Sequence, residues 1–158
     1  MTEWERARRR YRLVHDLAAA FEKKGPRALA DRQHEVVAEY GDLDRFLRDV
    51  QRRYLTAAYT QLDEVIEQAS GDPKGAVADA LAAVAEAYPA FRRLLEEYTD
   101  HPALAEGTAR FRHAVLSATG VDPADLTSYR PNQEVKGISH ARKSAFCAAL
   151  RPVRAWLH

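Results

Sequence analysis

Hydrophobic side chains recur along this chain at intervals of three and four, the period of an amphipathic helix, and nowhere alternate long enough for a half-buried strand. The first run holds Trp4, Ala7, Tyr11, Val14, Ala18 and Phe21. Thr2 and Glu5 ahead of it form a capping-box pattern, and Lys23, Lys24, Gly25 and Pro26 supply a C-terminal stop. A second, shorter helix is predicted from about Pro26 to Tyr40, with Gly41 ending it. The third, opening after Asp42 as N-cap, carries Leu43, Phe46, Leu47, Val50, Tyr54, Leu62, Val65 and Ile66. It is the longest and is expected to be the spine of the fold.

Asp72-Pro73 restarts the chain with a good N-cap and a residue at home in the first turn. A fourth helix with Val77, Leu81, Val84 and Tyr88 is flanked on most other sides by alanines, so a neighbour can approach closely, and a second copy could pair through that face. Pro89 ends it. A fifth helix then runs to His101-Pro102 and a sixth to Gly120. Residues 127–138, TSYRPNQEVKGI, have no helical period and read as a long loop. A last helix opens near Ser139 and carries Phe146, Leu150, Val153 and Trp156, with a kink or break expected at Pro152. The pattern predicts one all-α domain over 1–158, a bundle of about six to seven helices around one long central helix.

Composition bounds the rest. A chain of 158 residues with 46% hydrophobic and 30% charged residues can build its own core without staples. With a single cysteine, Cys147, no intramolecular disulfide forms, which favours a reducing compartment, and the cytoplasm is the expected location. No stretch of 18 apolar residues occurs, so no membrane span is expected.

Charge is unevenly spread. Residues 1–24 carry seven basic and four acidic groups, residues 25–128 eleven and eighteen, and residues 129–158 six and one. Two basic ends flank an acidic middle; they either form a joint positive face or pair with acidic neighbours in the same domain.

Candidate chemistry is sparse. Six histidines occur without Glu-x-x-His or His-Glu-x-x-His spacing, leaving Asp31 and His34 as the nearest local pair, so no metal or other cofactor is expected. No serine lies in a Gly-x-Ser-x-Gly elbow, no phosphate-binding glycine loop is present, and Cys147 sits on an apolar face, so no catalytic residue is assigned. Five arginines fall within seven residues, and of these Arg6, Arg8, Arg9 and Arg12 are the expected contacts for an acidic protein partner or nucleic acid. The whole cluster, Arg10 included, is expected on the solvent side of the first helix. The register of Trp4 and Tyr11 with Val14 predicts that these rings belong to the core.

A second candidate is an anion site after the long loop. Tyr129, Arg130, Asn132 and Lys136 supply donors, and Ser139, His140 and Arg142 follow at a helix N-terminus; the alternative is an ordinary cap. Tyr54, Tyr59, Tyr88 and Tyr98 fit either a pocket lining or a core edge. The many-helix pattern of the middle and end is loosely similar to the ligand-binding domain of tetracycline-repressor-type regulators. The stretch from Phe21 to Tyr40 is too short for that family's helix-turn-helix, so the likeness assigns no residue. The favoured expectation is a non-enzymatic interaction or regulatory protein that uses a basic face and self-associates. The alternative is a binder of a small anionic ligand, or a small enzyme, with an inter-helix pocket gated by 127–138.

Overall fold

The computed structural model describes residues 2–68 and 71–128. Among them are seven α-helices and one terminal 3₁₀ helix: α1 Glu3–Lys24, α2 Arg27–Asp31, α3 Gln33–Tyr40, α4 Leu43–Gln68, α5 Pro73–Ala87, α6 Pro89–Glu97, α7 Pro102–Thr119 and the 3₁₀ helix Pro123–Ser128. The chain is an all-α bundle with no strand among the described residues.

Local chemistry sets most of the boundaries. At α1 the Glu5 amide donates to Thr2 Oγ1 (3.2 Å) while the Thr2 amide donates to Glu5 Oε2 (2.7 Å), so both halves of the capping box are made. Asp42 accepts from the Arg45 amide (2.7 Å) ahead of α4, and Asp72 from the Gly75 amide (3.0 Å) ahead of α5. At the far end of α7, Gly120 adopts φ 70°, the left-handed region open to glycine at no steric cost, and its amide returns to the Leu116 carbonyl (2.8 Å). Where one helix was expected over 26–40 there are two. The turn at Arg32, φ −117°, breaks the rod, and Arg32 pairs there with Glu35 (2.6 Å).

α4 organises the interior. Its first half supplies Phe46, Leu47 and Val50 to an apolar cluster with Leu13, Val14, Leu17 and Phe21 of α1, Val36 and Tyr40 of α3, and Phe91, Leu94 and Leu95 of α6. Its second half supplies Leu55, Ala58 and Leu62 to another, with Val77, Leu81 and Val84 of α5, Phe111 and Val115 of α7, and Val121 and Leu126 beyond. Tyr54 packs against both.

Near that junction lies Gln51, the buried polar side chain of the described core. Its Nε2 donates to the Leu104 carbonyl (2.9 Å) and to Thr108 Oγ1 (3.1 Å), so both donors of the amide nitrogen are satisfied by α7. Gly107 makes this approach possible: a Cβ there would stand 2.1 Å from Gln51 Oε1. No helix of the described residues is long and apolar enough to cross a membrane.

Candidate functional site

Half of α1 runs on past the apolar cluster. Its buried residues begin at Leu13; ahead of that point Trp4, Ala7 and Tyr11 face out, Trp4 with 67% and Tyr11 with 52% of its surface exposed. Both rings were expected in the core. The centre of the buried face of α1 instead runs through Leu13, Leu17 and Phe21 and extends back to Arg10 and Arg6, whereas Tyr11, Ala7 and Trp4 continue the edge marked by Val14 and Ala18. Trp4, Ala7 and Tyr11 occupy the flank of that line, at positions i, i+3 and i+7.

The arginine cluster therefore divides. Arg10 is not on the solvent side: its Nε and Nη2 donate to the Glu39 carbonyl (3.0 and 2.8 Å) and its guanidinium lies over the Tyr40 ring at 5.0 Å. It caps the last turn of α3, whose terminal carbonyls lack helical donors. Arg9 Nε pairs with Glu39 Oε1 at 3.1 Å. Arg8 covers the Trp4 ring at 5.3 Å, a cation–π contact that leaves the guanidinium at the surface. Arg6, Arg8 and Arg12 form no ion pair among the described residues. The expected set of Arg6, Arg8, Arg9 and Arg12 is thus exposed, with Arg9 tied to α3 and the other three unpaired by acids.

Behind Tyr11 a row of rings leads inward through His15 to the buried Phe91. Tyr11 and His15 have centroids 4.3 Å apart, His15 meets Phe91 edge-on at 5.0 Å, and Tyr88 meets Phe91 at 6.2 Å. Arg53 of α4 stands over Tyr11 at 5.3 Å and binds Asp49 (3.1 Å), which also accepts from Tyr40 Oη (2.8 Å). Burial and the neighbouring Arg53 charge hold the His15 imidazole below its ordinary pKa. Burial opposes ionisation of Asp49, but the bonds from Arg52, Tyr40 and Arg53 outweigh it and keep the carboxyl below the usual aspartate range.

A second polar group lies between α4 and α6. Tyr54 is pushed up to about 12 chiefly by burial. Close by, Arg92 Nε stands 3.4 Å from Glu96 Oε1, an ion pair in distance whose two buried atoms lack hydrogen-bond geometry. Burial raises the Glu96 carboxyl above its ordinary value. Tyr98 is half-buried beside Phe21, while Tyr59 and Tyr88 are exposed. Among the described residues no three His, Cys, Asp or Glu side chains gather as metal ligands do. His101, one of the six histidines, caps α7 by accepting from the Ala103 amide at Nδ1 (3.3 Å).

The expected anion site falls elsewhere. Tyr129, Arg130, Asn132, Lys136, Ser139, His140 and Arg142, with residues 129–138 of the expected loop, the expected last helix, Cys147 and Pro152, lie outside the described residues, while Thr127 and Ser128, expected to open the loop, close the 3₁₀ helix. The signal that reading the sequence missed is that two series run along α1: Arg10 shares the i, i+3, i+7, i+11 series with Leu13, Leu17 and Phe21 at the centre of the buried face, while Trp4, Ala7, Tyr11, Val14 and Ala18 follow its edge. No known protein family, curated protein or solved structure matches this chain.

Proposed function

We propose that this chain is an interaction protein that lays the exposed face of the first half of α1 into an apolar groove with an acidic rim on a partner protein. The observation that carries the reading is the exposure of Trp4 in helical register with Tyr11, seven residues on. Anchors at i, i+3 and i+7 are the spacing by which a helix fills a groove. Tryptophan, tyrosine and arginine are the side chains that most often dominate binding energy. Arg8 and Arg12 next to the anchors match an acidic rim and would mainly speed encounter and set selectivity. The capping box at Thr2 and Glu5 supports this half of the helix where the core does not reach.

The test uses the full chain as bait against cell extract, with partners identified and their affinities measured on purified components. Trp4→Ala is expected to weaken a genuine partner by about 30-fold or more, the scale of a hot-spot truncation near 2 kcal/mol. Arg8→Glu with Arg12→Glu should slow association and flatten its salt dependence. Because these side chains are exposed, the variants should keep their melting temperature. Binding that survives Trp4→Ala within about twofold, or that vanishes on nuclease treatment, would reject the reading. The pocket reading, with its gate at 127–138, can draw on the Tyr54, Arg92 and Glu96 group. It would gain if a small anion shifted the NMR signals of those three side chains.

A further inference from the structure

The two apolar clusters divide the charge of the protein in a way that the order of residues along the chain conceals. The part of the bundle around the first cluster, residues 2–54 and 88–104, holds fifteen basic and thirteen acidic side chains. The part around the second, residues 55–87 and 105–128, holds nine acidic and three basic ones. Two of those three bases are already engaged, Arg110 with Glu106 and Arg112 with Asp122. On the outer side of α4 in this acidic half, Asp63, Glu64 and Glu67 form no ion pair among the described residues. The same stretch exposes Tyr59 and Ile66, seven residues and about 10 Å apart along the helix.

The chain itself supplies a complement. Residues 139–158 carry Arg142, Lys143, Arg151 and Arg154 and no acid, and their apolar positions Phe146, Leu150, Val153 and Trp156 recur at helical spacing. We propose that residues 139–158 dock in cis on the acidic, partly apolar flank of α4 marked by Tyr59, Asp63, Ile66 and Glu67. The 3₁₀ helix Pro123–Ser128 packs in the acidic half, and ten residues, 129–138, separate it from the proposed segment. A connection of that length would keep the segment at a millimolar effective concentration, so modest contacts would suffice to seat it. The docked segment would offset most of the acidic excess and cover both exposed apolar side chains. Arg6, Arg8 and Arg12 of α1 would then be the principal cations left for a partner.

A nitroxide placed in the full chain tests this. Ser144→Cys in a Cys147→Ser background puts the label opposite the apolar positions and removes no charge. The expected result is loss of the amide NMR signals from Tyr59 to Glu67, with those from Trp4 to Arg12 retained. Charge reversal at Asp63, Glu64 and Glu67 should bring the lost signals back. So should Phe146→Ala with Leu150→Ala, which leaves every acid in place. Signals lost evenly over the molecule, or first along α1, would overturn the proposal. It would equally fail if the loss appeared only when label and isotope sit on different copies, since the occupant would then be a second molecule.

Discussion

A methyl group at position 107 would displace the Gln51 amide, because its Cβ would lie 2.1 Å from Oε1 and 2.7 Å from Cδ. Alanine is the better helix former by about 1 kcal/mol. Against that stands the loss of two hydrogen bonds donated by a buried amide nitrogen, which costs about 1–3 kcal/mol when the group is left unsatisfied. The second effect should prevail, so Gly107→Ala is expected to lower the melting temperature by a few degrees. In a Gln51→Ala background the same change should be neutral or stabilising, because only the helix-propensity gain remains. Calorimetry on the four members of this double-mutant cycle gives the coupling, and additive effects would show that the two residues do not meet.

At the scale of elements, the link between α1, α3 and α4 carries the next predictions. Arg10→Ala removes a charged cap from the Glu39 carbonyl and should cost about 1–2 kcal/mol, with faster amide exchange confined to the end of α3. The same link sets a response to acid. His15 has a depressed pKa, so the unfolded chain binds its proton more readily, and stability should fall as pH drops below the ordinary histidine value of 6.5. Asp49 is also depressed. Its contribution is complete above the ordinary aspartate value of 3.8 and is lost as pH falls further. Denaturant titrations across pH should therefore show two separate declines, and His15→Asn should abolish the upper one alone.

How far these elements were legible depends on how local their causes are. Caps at Thr2, Asp42, Asp72 and Gly120 involve neighbours in sequence, and each stands where the sequence places it. Periodicity also identifies which residues share a face. It does not say how far along a helix another element reaches, and this is why Trp4 and Tyr11 were expected inside while the apolar cluster begins at Leu13. The break at Arg32 was hidden for a similar reason: residues 27–40 contain no glycine or proline, and nothing local marks the point between α2 and α3, which each pack against α1. Arg10 looked like one of five equivalent arginines until Glu39, 29 residues away, supplied its acceptor.

At the scale of the whole molecule, the two clusters share one element. Phe46 anchors the first and Leu62 the second, both on α4. Phe46→Ala should cost about 3–5 kcal/mol and Leu62→Ala about 2–5 kcal/mol. Since either loss undermines the rod on which the other cluster closes, each variant should still unfold in one transition, with circular dichroism and hydrogen exchange in the opposite half reporting the same midpoint. Two separated transitions would mean that the halves are independently stable.

The uninterrupted build of α4 has a mechanical consequence. Its 26 residues contain neither glycine nor proline and extend about 39 Å, so the rod has no weak point at which to flex. Whatever presses on one end of the molecule is met by the other end as a displacement rather than absorbed in between. Paired spectroscopic labels near residues 45 and 67 should accordingly report one narrow separation, and should keep it when a partner occupies α1.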